Sequence, residues 1–225
     1  MLYGTGSQKD EAGNYILDEN GFPQLTASPE VLGDPNPDWN LGGGFNLSWK
    51  GLTLNAVIEH SHGGEFSPRS LWVLRRFGTT QETANRLTLD QPLINFDGDE
   101  IAAGTTVRSN IEDFGAGPVL LDETWYRHGI GGGFGDNQVY NFSIADATFT
   151  KVRELSLSYQ FGSDLFNEKI SGITLGVSAR NWIYWDKIDG IDPEVSQTGV
   201  GNGQGLEYFT NPATKSFLIN FGVDF

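Results

Sequence analysis

The stretch TKSFLINFGVDF, residues 214–225, constrains the fold more than any other. Phe217, Ile219, Phe221, Val223 and Phe225 fall on every second position, with Ser216, Leu218, Asn220, Gly222 and Asp224 between them. A period of two puts the first set on one face of a β-strand and the second on the other. Such a strand has one apolar face and needs neighbours of the same kind. Phe45, Leu47 and Trp49 alternate with Gly44, Asn46 and Ser48. After Lys50-Gly51, Leu52, Leu54, Ala56 and Ile58 alternate with Thr53, Asn55, Val57 and Glu59. Two alternating runs around a Lys-Gly break read as an antiparallel hairpin. Phe149, Leu155, Leu157, Tyr159 and Phe161 share one face of a further run. Thr150, Val152, Glu154, Ser156, Ser158 and Gln160 share the other, and Lys151 and Arg153 interrupt the apolar face. Ile173, Leu175, Val177 and Ala179 alternate with Thr174, Gly176, Ser178 and Arg180, ending in the aromatic cluster 182–185. The expected strands are therefore 41–50, 51–61, 147–161, 172–185 and 214–225.

Between them lie two long segments, 63–146 and 186–213, and a short connection, 162–172. Residues 1–40 read as loop, with turn signals at Asp10-Glu11-Ala12-Gly13-Asn14 and Asp18-Glu19-Asn20-Gly21 flanking a short run that suits a small hairpin. A short helix is expected near 81–87. The net charge of −15 over 225 residues argues against nucleic-acid binding, which needs Lys and Arg on phosphates. Of the 29 acidic residues, 24 fall in 1–40, 63–146 and 186–210, so the strands are nearly free of them. There is no cysteine, hence no disulfide framework. No apolar run is long enough for a transmembrane helix. The opening LYGTGSQKD lacks the basic and apolar runs of a signal peptide, so an exported protein is expected to start upstream.

The strands permit two architectures. A soluble carbohydrate-binding β-sandwich would turn its polar faces to water. A membrane barrel would turn its apolar faces to lipid. Strand lengths of about 9 to 13 residues suit a tilted crossing of a bilayer better than a sandwich. Short turns alternating with long loops also suit an outer-membrane barrel. Five strands cannot close one, because lipid leaves no edge unpaired. The expected fold is all-β: the last five strands of a larger antiparallel transmembrane barrel, with long extracellular loops.

Several motifs bear a family resemblance. Gly33-Asp34-Pro35-Asn36-Pro37-Asp38-Trp39, followed by Gly43-Gly44-Phe45-Asn46-Leu47-Ser48-Trp49-Lys50-Gly51-Leu52, resembles the "GNPNPDW…GG…YKGF" hairpin of SusC/RagA-type TonB-linked outer-membrane transporters. His62-Gly63-Gly64, the run from Ala147 to Tyr159, Asn181-Trp182, Gly190-Ile191-Asp192-Pro193-Glu194 and the terminal strand follow in the family's order. Trp49 stands where Tyr is usual and Leu52 where Phe is usual. The resemblance implies a barrel of about 22 strands with a plug supplied elsewhere in the protein. It implies uptake of a glycan or peptide nutrient across the outer membrane. The implied partners are the remaining barrel and plug, TonB acting through that plug, a SusD-like surface lipoprotein and outer-membrane lipid. It also makes Phe225 the insertion signal. Residues 63–146 and 186–213 become extracellular, and Lys50-Gly51 and 162–172 periplasmic.

Catalytic chemistry has no motif here. His60, His62 and His128 lack zinc spacing. Gly131-Gly132-Gly133-Phe134-Gly135-Asp136 departs from a calcium nonapeptide, and the run 199–205 is no P-loop. No cofactor is expected beyond calcium, for which Asp186, Asp189, Asp192 and Glu194, or Asp97, Asp99 and Glu100, supply oxygen ligands; solvated acidic loop is the default for both. Trp72, Trp125, Tyr126, Trp185 and Tyr208 are the ligand-contact candidates, because aromatic rings stack on sugars or pack peptides. Trp185 reads equally as an interface anchor. Asn46, Ser48, Thr53, Asn55, Glu59, Glu154, Ser156, Arg180 and Asn220 are expected to face the barrel lumen.

Overall fold

The computed structural model describes residues 1–129, 131, 141–162, 170–188, 190–199, 201 and 203–224. Two compact units share the chain. One comprises Asn36–Gly64, Asp146–Val195 and Asn211–Phe225, the other Met1–Pro35, Glu65–Ala145 and Ser196–Thr210.

The first unit is a five-stranded antiparallel sheet: β1 (Trp39–Trp49), β2 (Leu52–His62), β3 (Phe149–Gly162), β4 (Gly172–Asp186) and β5 (Ser216–Asp224). Each strand pairs with the next in sequence. β1 and β2 are joined by Lys50 and Gly51, both at positive φ (48° and 88°). That is the backbone of a two-residue primed turn, whose twist matches the flanking strands. It fixes the register at Trp49 opposite Leu52. A Cβ on Gly51 would meet the Gln160 carbonyl oxygen at 2.7 Å, so the turn also needs glycine for the close approach of β3.

Register sorts the side chains into rows. Three apolar rows cross all five strands: Trp49, Leu52, Tyr159, Leu175, Phe221; Leu47, Leu54, Leu157, Val177, Ile219; and Phe45, Ala56, Leu155, Ala179, Phe217. Their outer members are exposed, Trp49 at 69%, Ile219 at 75% and Phe221 at 67%. The opposite face is largely polar, with Val57 and Leu218 as apolar members. Asn46, Asn55, Ser156, Ser178 and Leu218 form one row, and Ser48, Thr53, Ser158, Gly176 and Asn220 the next.

One departure from the expected alternation reorganises the rim. On β3, Glu154 pairs with Val57 but Val152 pairs with Ile58, so Arg153 is an extra residue against β2. A bulge of one residue reverses which face every later side chain takes. Lys151 and Phe149 therefore lie on the polar face with Glu59 and Ser61, while Val152 and Thr150 join Ile58 and His60 on the apolar face. The uninterrupted alternation expected for β3 is corrected accordingly. On β4 the break is matched by Asn181, at φ 54°, between Arg180 and Ile183. The Trp182 indole there donates to the Ser216 carbonyl at 3.0 Å.

The second unit is built from the segments read as loops. Near the N-terminus, bridges Ser7–Leu25, Lys9–Tyr15 and Leu17–Pro23 make a folded ribbon. Its two turns share one design eight residues apart. Asp10 Oδ1 accepts from the Ala12 and Asn14 amides, and Asp18 Oδ1 from those of Asn20 and Phe22, with Gly13 and Gly21 at positive φ. Residues 65–129 form helix α1 (Arg69–Arg76), helix α2 (Glu123–Arg127) and short antiparallel ribbons. The expected helix near 81–87 is a single 3₁₀ turn, Glu82–Ala84, followed by the strand Arg86–Thr88. Two small cores hold this unit together. Phe22, Val119, Trp125 and Tyr126 form one, against Phe96, Phe114 and Phe142; Leu89, Leu93 and Leu120 form the other.

Candidate functional site

The polar face of the sheet is a hydrogen-bonded surface. The Asn46 amide donates to Asn55, the Asn55 amide donates to Ser156 Oγ at 3.1 Å, and Ser48 and Thr53 share a hydrogen at 3.1 Å. Arg180 Nε donates to Glu154 Oε2 at 3.0 Å. The eight residues Asn46, Ser48, Asn55, Glu59, Glu154, Ser156, Arg180 and Asn220 all lie on this face.

Above them, where the bulge turns β3 over, sits the densest charge network. Lys151, 3% exposed, donates from Nζ to Asp192 Oδ1 at 2.7 Å and to Glu194 Oε2. Arg153 donates from Nε to Glu59 Oε2 at 2.7 Å and from Nη1 to Glu194 Oε2 at 2.8 Å, with a second guanidinium bond to Glu194. Asp192 also accepts from the Glu194 and Ala213 amides at 3.1 and 3.2 Å. The network thus ties both ends of the loop after β4 to the strand wall. Burial raises the Asp192 carboxyl, but the Lys151 ammonium and the Glu194 amide outweigh it and hold it below its usual value. Glu194 is likewise lowered, burial being outweighed by Arg153 and Lys151. Sequence reasoning missed this pairing. Its signal was two bases at i, i+2 in an alternating strand and two acids at i, i+2 in a loop.

These bonds bear on the calcium candidates. Asp192 is committed to Lys151, Asp186 ends β4 opposite Phe149, and Asp189 lies outside the described residues. Asp97 meets the imidazole of His128 at 2.8 Å. Among the described residues no three His, Cys, Asp or Glu side chains converge as a metal site. Phe225 and residues 132–136 also lie outside the described residues.

The five aromatic candidates are dispersed. Trp72 is buried in α1, and Trp125 and Tyr126 belong to the aromatic core. Trp125 stacks on Phe22 with centroids 5.5 Å apart. Trp185 is a strand residue opposite Thr150, on the apolar side and 61% exposed. Tyr208 packs edge-on against Phe209, with the Arg69 guanidinium over its ring at 5.6 Å. Trp125 and Tyr126 nevertheless border a cavity of about 440 Å³, with Tyr15, Phe114, Phe142 and the carboxylates Glu82, Glu112 and Asp113 on its walls. The Tyr126 hydroxyl donates to Glu82 at 3.1 Å; burial first, then the Glu82 charge, push its pKa up to about 12. His60 and His62 pack with Trp39 on the apolar face, at ring distances of 5.0 and 5.1 Å.

No family model matches the chain. A protein of Formosa agariphila described as TonB-dependent receptor P3 is 21% identical over 223 residues, 96% of this chain and 19% of that protein. The chain is similar to this TonB-dependent receptor over nearly all of its own length. Solved structures agree on the fold. The RagAB peptide importer in its open-open state matches 99% of the chain with a TM-score of 0.53 and 16% identity, and in its closed-closed state 97% with 0.54 and 17%. Each match uses 22% of the other chain, so this sequence spans about a fifth of the length of its relatives. The SusC/RagA resemblance read from the motifs is thereby upheld.

Proposed function

We propose that this chain is part of the barrel wall and outer loops of a SusC/RagA-type TonB-dependent transporter, which imports a glycan or peptide nutrient across the outer membrane. One observation carries this reading: three unbroken apolar rows cross a five-stranded meander with most of their side chains exposed, Ala56 being buried and Leu54 and Ala179 half-buried, opposite a largely polar, hydrogen-bonded face. A sandwich would bury that apolar face against a second sheet. Lipid on one side and a polar lumen on the other explain both faces at once. The outer edges of β1 and β5 have no partner among the described residues. In lipid they would pair with further strands of a longer protein, in a barrel of about 22. The plug, TonB coupling and a SusD-like lipoprotein are assigned to this transporter by the same reading. The tight Lys50-Gly51 turn would face the periplasm, and the compact loop unit the exterior.

Cysteine labelling of the longer protein tests this. With Thr79→Cys in the loop unit, a membrane-impermeant maleimide should react in intact cells. With Lys50→Cys it should react only after the outer membrane is permeabilised. Equal labelling at both positions, or recovery of the protein in the soluble fraction, would overturn the assignment.

A further inference from the structure

We infer that the loop unit holds a binding cleft for an acidic oligosaccharide, gripped through an arginine cluster and an exposed phenylalanine. The inference adopts the transporter reading for its setting at the cell surface and adds the ligand's chemical class. A cleft of about 780 Å³ lies between α1, α2 and the ribbon formed by Arg86–Thr88 and Thr106–Arg108. Four of the chain's eight arginines line it: Arg75, Arg76, Arg108 and Arg127. Arg75 is paired with Glu82 and Arg127 with Glu123, and Asp122 also lines the cleft, so its walls carry a small net positive charge in a chain of net charge −15.

Arg108 differs from the acid-paired Arg75 and Arg127 in two ways. Arg108 donates to the backbone carbonyls of Thr83 and Gly78, both neutral, and among the described residues it forms no ion pair. Three of its five N–H donors remain for a ligand. Arg86 stands directly opposite Arg108 in the ribbon register, and both are exposed. Like charges facing each other across a strand pair destabilise it, and a bound anion would remove that repulsion.

The rest of the lining selects the kind of anion. Phe77, at the end of α1, is 74% exposed beside the cleft and offers a ring face. Thr83, Ser109, Asn110, Asp122 and Glu123 add neutral and acidic hydrogen-bonding groups. Guanidinium forks bind two oxygens of an oxyanion such as carboxylate or sulfate, the ring suits the apolar face of a pyranose, and the acceptors suit its hydroxyls. A peptide recognised as an added strand would need pockets for alternate side chains, whereas most of the residues on this wall are charged or polar.

The test uses the purified full-length transporter and isothermal titration calorimetry. The probes are a tetragalacturonate, a sulfated carrageenan tetrasaccharide, neutral cellotetraose and tetraglutamate. Binding of at least one of the two acidic sugars, weakened by added salt, is expected, with cellotetraose and tetraglutamate far weaker; which acidic sugar binds separates carboxylate from sulfate. Arg127→Gln and Phe77→Ala, both at exposed positions, should each weaken that binding by about tenfold. Arg108→Gln should weaken it further. Failure of both acidic sugars to bind at millimolar concentration would overturn the inference, as would equal binding of cellotetraose or binding of tetraglutamate alone. Unchanged affinity in Arg127→Gln and Phe77→Ala would do so too. The maleimide labelling above reads the transporter assignment separately, so the two can fail independently.

Discussion

Lys151 shows how much one side chain can depend on an insertion two residues away. In sequence it looks like a cation placed awkwardly among apolar neighbours. In the structure the bulge at Arg153 delivers it to the polar face, where Asp192 and Glu194 neutralise it. Alternation alone could not reveal this, because a period-two pattern carries no mark of where an extra residue is absorbed. Without the Lys151 ammonium, Glu194 would keep Arg153 and Asp192 its two backbone amides, but both would lose a charge-assisted hydrogen bond, at a cost of roughly 1.5–3 kcal/mol. Lys151→Met should therefore free the loop after β4, read as faster proteolysis between residues 187 and 213 in the assembled protein. The pH dependence has a definite sign. Asp192 and Glu194 titrate below their ordinary values, so their stabilisation is complete above the unfolded carboxylate range of about 4 and lost as pH falls through the folded values. The wild-type loop should resist thermolysin equally from pH 8 to pH 5 and open to pepsin below about pH 4. Lys151→Met should be open throughout. Protection of the variant at neutral pH would show that the network does not hold the loop.

At the scale of elements, the long strands were legible and the loop unit was not. Alternating residues such as Leu155, Leu157 and Tyr159 mark a strand because the sheet presents one uniform face to each side. The turns at Asp10 and Asp18 were legible for a local reason, an aspartate closing onto amides two and four residues ahead. The helix Arg69–Arg76 and the core around Phe22 and Trp125 had no such signature. They depend on contacts between distant segments: Phe22 packs against Phe96 and Trp125, about a hundred residues apart at the extremes. The same distinction applies to the site. The polar-face residues were readable from parity, whereas the Arg108 cleft needs a ribbon register that short strands do not announce. The bulge itself can be tested as an element. Adding one alanine between Val152 and Arg153, with the single bulge kept, would shift Lys151 opposite His60 and carry Lys151 and Phe149 to the apolar face. Arg153→Ala would leave the faces as they are and lose only its ion pairs. Outer-membrane levels of the longer protein, measured by immunoblot of isolated membranes, should collapse in the alanine insertion and fall only modestly in Arg153→Ala. Equal levels in both would mean the register beyond the bulge is unimportant.

For the whole molecule, the decisive contrast is between the two faces of one sheet. Leu157 and Ser158 are adjacent in β3, yet Leu157 belongs to a row running from Leu47 to Ile219, and Ser158 to one running from Ser48 to Asn220. If the apolar rows meet hydrocarbon, an arginine at position 157 must be desolvated into lipid. Near the bilayer midplane that costs roughly 2–4 kcal/mol. An arginine at position 158 would enter a polar, hydrated face at little cost. A soluble domain with a water-covered sheet would reverse this order or erase it, since Leu157 is already 43% exposed and a charge there would be solvated. The measurement is the folded, heat-modifiable fraction of the longer protein in outer membranes, for Leu157→Arg against Ser158→Arg. The lipid-facing assignment requires Leu157→Arg to be the more damaging. The opposite order would place water, not lipid, against the apolar rows.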